Sequence, residues 1–573
     1  MKASSRLAMV LGLSLAMAGG AAAQTSAPGH VHYVKPPEQA TPAGAPVAPR
    51  LQNLGAHVFP VSTRHKQAQL FINQGDNLAY AFNHAESHRA FREAARLDPG
   101  LAMAYWGQAL VLGPNINALM EPNEEPNAFE LARKAASLKA KASARERALI
   151  DALSERYSGK PEDRRARDVA YAAAMRTVHQ QFPDDLDITM FYVESVMDLR
   201  PWGYWMGDGR PHEGIAEIVN LTEKVMAKHP KHPGALHMYI HLMEAYSPHK
   251  AEKAADTLIT LMPAAGHMVH MPAHIYQRVG RYADAARSNE LAIAADEDYI
   301  TQCRAQGLYP MAYYPHNVHF LWFAATFEGR SAVAIENARK LAAKVDDETL
   351  KQVPILAAFR VVPYYALTRF ARWDEMLKEP EPASHPFLRG VWHYARGTAF
   401  VAKGQLEDAE RELARVNEIL QDKALDSPLF SPNTGRAVLS IAPEVLGGEL
   451  AAARKEYDKA LAHLSRAVRL EDGLVYTEPS EWHYPTRHSL AAVLLEAGRP
   501  AEAETVYWED LRKNPDNGWA LTGLVQALRA QNKQEAAELA QARLQKAWGR
   551  ADVKPDSSRF GRLIAGRGTD NDR

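Results

Sequence analysis

The fold is decided by residues 266–285, which read GHMVHMPAHIYQRVGRYADA. His267, His270 and His274 follow the spacing i, i+3, i+7 in this stretch, which places three imidazoles on one face of an α-helix. Gly280 then separates two amphipathic segments, and a glycine at that point allows the chain to reverse. The stretch therefore predicts a helical hairpin whose first helix carries the histidines.

The same histidine register recurs further along the chain. In the next hairpin, two histidines stand 13 and 10 residues before the turn glycine, at the distances found in the first hairpin. A third copy has one histidine ten residues before its glycine. These residues are His316 and His319 before Gly329, and His488 before Gly498. Imidazoles that recur at one register of a repeat indicate a shared histidine-lined surface.

Three of the turns also share a packing pattern. Each turn glycine has an alanine five residues later, a small residue seven residues earlier and a large apolar residue four residues earlier. Small residues let two antiparallel helices approach closely, and the large ones fill the space between hairpins. The positions are Gly280, Gly404 and Gly498; Ala285, Ala409 and Ala503; Ala273, Gly397 and Ala491; and Tyr276, Phe400 and Leu494.

This pattern resembles the tetratricopeptide repeat, a unit of about 34 residues with two helices. The resemblance implies an all-α fold, a right-handed superhelical solenoid of helical hairpins with a concave groove. It also implies that the first helix of each hairpin lines the groove, so the recurring histidines are expected to face it. Residues 266–282 and 315–319 are also similar to a group of secreted, histidine-rich bacterial tetratricopeptide proteins.

The chain of 573 residues begins with a segment typical of export. Lys2 and Arg6 precede a short apolar core, and Ala21 to Ala23 provide small residues for cleavage. We expect a signal peptide at 1–23, a flexible Pro/Ala-rich linker at 24–65, a tetratricopeptide-like solenoid at 66–548 and a polar tail at 549–573. The protein is accordingly predicted to be periplasmic or secreted.

Composition restricts the partners of the protein. The 67 basic and 68 acidic residues balance, which gives no electrostatic reason to expect nucleic acid as a partner. No later segment offers about 20 uninterrupted apolar residues, so no membrane span is predicted. Cys303 is the only cysteine, so the chain builds no internal disulfide and folds on packing alone.

Two further histidine pairs have the spacing i, i+4, which brings both rings to one helix face. They are His237 with His241, and His84 with His88. A single pair of this kind is more often structural than metal-binding, but neighbouring helices pack about 8–10 Å apart, so pairs on adjacent hairpins can converge. The predicted metal ligands are His267, His270, His274, His316 and His319, then His237 and His241, and finally His84, His88 and His488.

The ligand type favours a transition metal. Imidazoles suit copper, zinc, iron and nickel, and apart from Glu86 the histidine motifs contain no carboxylate. An all-nitrogen set outside the cytoplasm favours copper over zinc or iron, and the number of ions stays open. A zinc-protease reading of His237 to His241 fails, because Met238-Tyr239-Ile240 leaves no glutamate for the general base.

Two functions remain open at this point. The first is an exported solenoid whose histidine-lined groove binds a transition metal, for metal handling or for the redox chemistry of a metal-dependent oxidoreductase. The second is a scaffold without catalysis that binds a protein or peptide partner in the concave groove. The sequence contains no Gly-rich phosphate loop, G-x-S-x-G elbow or haem-attachment motif, so it assigns no catalytic residue and no substrate.

Overall fold

The computed structural model describes residues 45–303, 309–383, 385–429, 433–560 and 563–565. The predicted signal peptide and the first part of the predicted linker lie outside the described residues. The chain divides into two compact units. The first contains residues 1–275 and 291–314, and the second contains residues 276–290 and 315–573.

Helices dominate the described residues from position 66 onward. They begin with α1 (Lys66–Tyr80), α2 (His84–Leu97), α3 (Ala102–Leu110), α4 (Glu125–Leu138), α5 (Ala144–Ser154), α6 (Arg164–Gln181), α7 (Leu186–Met197), α8 (Ile215–Lys228), α9 (Pro233–Met243), α10 (Glu252–Leu258), α11 (Gly266–His270), α12 (Pro272–Arg278), α13 (Tyr282–Cys303) and α14 (Tyr314–Phe327). A single π-helical turn, Tyr309–Tyr313, precedes α14.

The remaining helices continue the same architecture to residue 547. They are α15 (Ser331–Ala342), α16 (Asp347–Gln352), α17 (Ala357–Arg360), α18 (Val362–Arg369), α19 (Trp373–Met376), α20 (Pro386–Ala402), α21 (Leu406–Ile419), α22 (Gly435–Leu439), α23 (Ile441–Ala453), α24 (Tyr457–Asp472), α25 (Arg487–Glu496), α26 (Pro500–Lys513), α27 (Gly518–Ala530) and α28 (Gln534–Ala547). A short antiparallel pair follows, β1 (Val553–Pro555) with β2 (Leu563–Ala565). The all-α prediction is confirmed. In the described part of the chain, no helix is long and apolar enough to cross a bilayer.

The turn glycines lie where the repeat pattern predicts them. Gly280, Gly329, Gly404 and Gly498 have φ angles of 82°, 72°, 75° and 73°. These angles fall in the left-handed region, which glycine adopts without a steric penalty and other residues rarely enter. Each of these glycines is the second residue after the first helix of its hairpin, and the second helix starts two residues later.

Close helix–helix contacts depend on glycines inside the helices. Phe91 on α2 packs against Gly75 of α1 and Gly107 of α3, and its side chain is almost fully buried. A Cβ atom on Gly107 would lie 2.4 Å from Cδ1 of Phe91, and one on Gly75 would lie 2.8 Å from its Cζ. The missing side chains therefore create the space that the phenyl ring fills, which links α1, α2 and α3.

In the first unit, α9 returns to α1 although the two helices are far apart in sequence. The ring of Tyr80, the last residue of α1, lies against Gly234 at the start of α9, where a Cβ atom would be 2.4 Å from Cε1. The phenol of Tyr80 donates a hydrogen bond to the carboxylate of Asp187 at 3.1 Å. Two independent contacts thus fix the end of α1 beside the helix that carries His237 and His241.

The described part of the predicted linker is docked on the first unit. Phe59 has no exposed surface, and its ring stacks on Trp106 with the centroids 5.8 Å apart. The backbone N–H of Val47 donates to the Glu93 carboxylate at 2.9 Å. An apolar anchor and a buried acceptor therefore hold part of residues 45–65 in place.

The segment after α28 is docked on the second unit in the same way, although the sequence predicts a polar tail there. The hydroxyl of Ser558 donates to the backbone carbonyl of His488 at 2.8 Å and lies 2.7 Å from the Tyr507 hydroxyl. Phe560 is buried. The described residues from 549 to 560 thus complete the surface formed by α25 and α26.

The packing of Phe91 gives a test of the helix spacing. We expect Gly107→Ala to destabilise the protein by about 1–3 kcal/mol, because overpacking outweighs the better helix propensity of alanine, about 1 kcal/mol. Gly207→Ala is the control, since a Cβ atom there meets nothing within 4 Å. Melting temperatures of the two variants measure the difference. Equal values would contradict the proposed role of Gly107.

Candidate metal centre

Five histidines of the first unit lie close together inside the protein. His237 and His241 belong to α9, His267 and His270 belong to α11, and His274 belongs to α12. Their exposed fractions are 0%, 2%, 2%, 0% and 2%. The cluster is therefore buried. This differs from the open, groove-lining position that the repeat register predicts for the last three.

Three of these imidazoles form a compact group. One ring nitrogen each of His237, His241 and His267 lies within 4.8 Å of the other two. The closest pair is Nε2 of His237 and Nε2 of His241, at 3.1 Å. The rings of His237 and His267 are 4.9 Å apart and nearly perpendicular. The spacing i, i+4 on α9 supplies two members, and α11 supplies the third.

The hydrogen bonds of the outer ring nitrogens fix which nitrogen carries the proton. Nδ1 of His237 lies 2.6 Å from the backbone carbonyl of Tyr80, which can only accept, so Nδ1 carries the hydrogen. Nδ1 of His241 lies 3.1 Å from Oε1 of Glu244 and donates in the same way. In the neutral rings both Nε2 atoms are then acceptors. Two lone pairs therefore face each other across 3.1 Å.

His267 completes the group with an imidazole that lacks polar partners. Among the described residues, neither its Nδ1 nor its Nε2 has a hydrogen-bond partner. Its ring is surrounded by aromatic rings instead, with Phe82 at 5.6 Å and Tyr313 edge-on at 4.8 Å. A buried ring nitrogen without a partner costs free energy, about 1–3 kcal/mol. The neutral ring of His267 therefore contributes a lone pair that no hydrogen bond uses.

A second pair lies beside the first group. Nε2 of His270 and Nε2 of His274 are 2.9 Å apart, and Nδ1 of His274 lies 2.6 Å from Oε2 of Glu244. Glu244 is 1% exposed and contacts both His241 and His274. Glu244 is not among the site residues predicted from the sequence. Its position three residues after His241 was the available signal, because such residues share a helix face.

Burial favours the neutral form of His237, His241 and His267. Burial and the neighbouring histidines hold the pKa of His237 and that of His267 well below the usual value, and the pKa of His241 is lowered by burial and by His274. A neutral imidazole is the form that binds a metal ion. Protonation of either ring is therefore unfavourable. A proton is thus a poor candidate for the cation that would relieve the repulsion between the two Nε2 lone pairs.

A different cluster of potential ligand atoms contains His57, Asp187 and His232. Nδ1 of His232 accepts from the backbone N–H of Ala235 at 3.3 Å, so its Nε2 carries the hydrogen and donates to Asp187 at 3.2 Å. Nε2 of His57 lies 3.0 Å from Asp187 and 3.3 Å from Asp76. Nε2 of His232 is therefore committed to Asp187, and Nε2 of His57 lies within ion-pair distance of both Asp187 and Asp76.

Of the histidines predicted as ligands outside this cluster, His488 is also satisfied. Its Nε2 lies 2.9 Å from the Asp510 carboxylate, and its Nδ1 lies 3.3 Å from the guanidinium of Arg369, which can only donate. Nδ1 is therefore the acceptor and Nε2 the donor. The buried imidazole joins α25 to α26 in the second unit and has no free ligand atom.

The remaining predicted ligands have other surroundings. His84 lies 3.4 Å from the Asn115 amide, and burial and Arg156 lower its pKa to about 4. His88 is buried on the same helix. In the second unit, His319 stacks on Trp322, and burial lowers its pKa to about 3, whereas His316 packs edge-on against Phe320. Among the described residues, the groups of three potential ligand atoms within 4.8 Å include none of His84, His88, His319 and His488.

Comparisons with known proteins leave the function open. No family model matches the chain, and no curated protein matches it. Two structures of IFIT1 cover 84% of this chain at 11% identity and TM-score 0.30: the human dimer with m7Gppp-AAAA (90% of that chain) and a monomeric mutant with Gppp-AAAA (91%). Yeast Tom70 covers 84% of this chain and 90% of its own at 12% identity, with TM-score 0.24.

The network around His57 gives a pH prediction. Burial lowers its pKa, but hydrogen bonds with Asp187 and Asp76 outweigh this and raise it from 6.5 to about 10. The imidazolium therefore stabilises the fold fully below pH 6.5, and its contribution is lost as the pH rises to about 10. We expect His57→Gln to lower stability by about 3–5 kcal/mol near pH 6, because two buried carboxylates lose their cation.

The measurement is the melting temperature of the protein and of His57→Gln between pH 6 and pH 10. The difference should shrink as the pH rises. His249→Gln, at an exposed histidine of the same unit, serves as the control and should show no such trend. A difference that stays constant across this range would mean that His57 is not charged in the folded protein.

Proposed function

We propose that this protein is exported and binds a transition-metal ion, with copper favoured, through His237, His241 and His267 of the first unit. The metal would serve metal handling or metal-dependent redox chemistry. Support for export comes from the basic and apolar start of the chain. Support for the metal comes from the geometry of the buried imidazoles.

The observation that carries the proposal is the contact between two acceptor nitrogens, Nε2 of His237 and Nε2 of His241, at 3.1 Å. Two lone pairs at this distance repel each other unless a cation lies between or beside them. Burial disfavours a proton in that role, as it disfavours any charged imidazole. A metal ion relieves the repulsion and also uses the unpartnered nitrogen of His267.

The surroundings of the rings match those of histidine ligands in metalloproteins. A metal-binding histidine usually donates its second N–H to a carbonyl or a carboxylate, which fixes the ring and makes the ligand nitrogen more basic. His237 donates to the Tyr80 carbonyl and His241 donates to Glu244. Both supporting acceptors are therefore present before a metal ion binds.

The distance between the two Nε2 atoms suits an ion with nitrogen ligands. At metal–nitrogen distances of about 2.0–2.1 Å, two ligands lie about 2.9 Å apart at a right angle and about 3.3 Å apart at a tetrahedral angle. The pair on α9 is 3.1 Å apart, between these limits. An all-imidazole set favours copper first and zinc second, because calcium and magnesium prefer oxygen ligands.

The burial of the five histidines also argues against the alternative hypothesis, a scaffold that binds a protein or peptide partner through histidines in the groove. That hypothesis requires groove histidines that form hydrogen bonds with a protein or peptide partner. Imidazoles with exposed fractions between 0% and 2% offer no surface to such a partner. Other faces of the helical repeat stay available for protein binding, but the histidine cluster gives no support for it.

Metal binding can be tested on the untagged protein. After treatment with a chelator and reconstitution with copper or zinc salt, we expect about one equivalent or more to remain bound after desalting, as measured by elemental analysis. The melting temperature should rise with the ion, and the stabilisation should reach about 4 kcal/mol at a free concentration near 1,000 times Kd.

Ligand variants make this test specific. His241→Ala should weaken metal binding by about 100-fold or more, because it removes one of three ligands. His249→Ala removes an exposed histidine of the same unit and should leave binding unchanged. Less than about a tenth of an equivalent in the unmodified protein, before and after reconstitution, would refute the proposal.

A further inference from the structure

We infer that a cleft beside His57 in the first unit binds a small organic anion, with a carboxylate or phosphate group on an apolar body. This His57 cleft is formed by residues 56–60, the first turns of α5 and α7, the connection from α8 to α9, and Leu261. Its volume is about 700 Å³, within the range of about 300–1,000 Å³ that small-molecule sites occupy. None of the five clustered histidines lines it, so it is a separate site.

Local sequence explains why polar residues gather at this cleft, since three helices begin there. Arg145 lies in the first turn of α5. Asp185 precedes α7 and accepts from the backbone N–H of Ile188 at 3.0 Å. His232 precedes α9 and accepts from the backbone N–H of Ala235 at 3.3 Å. Residues that cap helix starts in this way satisfy N–H groups that the helix leaves free, so the cleft lies where three such starts meet.

The carboxylate of Asp187, which lines the cleft, is engaged by the protein itself. It accepts from the phenol of Tyr80 at 3.1 Å and from Nε2 of His232 at 3.2 Å. Nε2 of His57 lies 3.0 Å from it, and the guanidinium of Arg145 lies 3.4 Å from it. Four donating or cationic groups thus surround one carboxylate, which has about four acceptor sites. Asp187 is therefore poorly suited to bind a cationic ligand.

Two other carboxylates near the cleft are also paired. Asp185 faces two nitrogen atoms of the Arg145 guanidinium. Asp76 lies 3.3 Å from Nε2 of His57, is 1% exposed and does not line the cleft. The carboxylates that line the cleft, Asp185 and Asp187, are thus both ion-paired, so they oppose an anionic ligand less than free carboxylates would.

Positive charge, in contrast, is available to a ligand. Lys231 and His229 line the cleft from the connection between α8 and α9, and both are exposed. Within the described part of the chain, the ammonium group of Lys231 forms no ion pair or hydrogen bond. The His57 imidazolium adds a second positive charge to the lining near neutral pH. A carboxylate or phosphate group would accept charge-assisted hydrogen bonds from these side chains.

The apolar part of the lining favours an organic anion over an inorganic one. It consists of Ala56, Val58, Pro60, Leu186 and Leu261. Val58 is 54% exposed, and an apolar ligand body would remove such a surface from water. A concave site with apolar walls and a small number of charged groups is typical of small-molecule binding.

A fluorescent anion with apolar rings, 8-anilinonaphthalene-1-sulfonate, tests the site by titration of the full chain in the presence of EDTA. The double variant Lys231→Gln, His229→Gln should bind the dye about 10-fold or more weakly, because it loses charge-assisted hydrogen bonds. The double variant Lys253→Gln, His249→Gln removes the same residue types at exposed positions outside the cleft and should bind like the unmodified protein. Equal affinities of the two double variants would overturn the site.

Opposite charges at Val58 provide an independent readout. We expect Val58→Asp to weaken dye binding and Val58→Lys to strengthen it, each by about fivefold, because the added charge lies in the lining of the cleft. Val58 is already half exposed, so neither variant should disturb the fold, which circular dichroism checks. If both variants weaken binding equally, the site responds to side-chain size and does not select an anion.

Displacement of the dye distinguishes the two head groups. Phenyl phosphate and benzoate combine one aromatic ring with a phosphate or a carboxylate group, and benzyl alcohol carries the ring without a charge. At least one of the two anions should displace the dye at a concentration about tenfold lower than benzyl alcohol requires. The more effective anion then identifies the head group that the cleft prefers. Displacement by benzyl alcohol at the same concentration as the anions would refute anion recognition.

Discussion

The histidine centre depends on one long-range hydrogen bond, from Nδ1 of His237 to the carbonyl of Tyr80, which spans 157 residues of chain at 2.6 Å. It forms because α9 meets the end of α1, where Gly234 leaves room for the Tyr80 ring. This carbonyl accepts a hydrogen bond from Nδ1–H of His237, which leaves Nε2 facing His241. Without the contact between the two helices, the histidines of α9 would be an ordinary helical pair.

Burial imposes the same requirement on each buried histidine that the structure describes, and two arrangements meet it. At His232 and His488 each ring nitrogen has a complementary partner, one donor and one acceptor, so the imidazole is a structural element. At His237 and His241 the outer nitrogens are paired and the inner ones are not. The difference lies in the partners and their geometry, since the residue type and the burial are the same. It therefore separates structural histidines from candidate ligands.

Much of the fold follows from local sequence, whereas the centre does not. Turn glycines such as Gly280 are predictable because their backbone conformation is a local property of the repeat. The histidine pairs on α9 and α11 are likewise predictable, because their spacing in the sequence places both rings on one helix face. Their burial is not, because it depends on which distant helix covers them. The network of His57 with Asp187 escapes sequence analysis for the same reason, since 130 residues separate the two partners. Glu244 could have been predicted from the sequence, because it stands three residues after His241 and so shares its helix face.

The buried position also narrows the chemistry that the centre can perform. An open groove would admit a polypeptide or another large substrate, whereas side chains with exposed fractions of at most 2% admit only small species. Three imidazoles around an ion leave one coordination position of a tetrahedral site for such a species. The ring of Tyr313, a buried phenol, lies 4.8 Å from the imidazole of His267. With the proposed ion bound, a site of this kind would admit small anions or transfer electrons rather than bind a peptide, and the surrounding helices would shield it from bulk water.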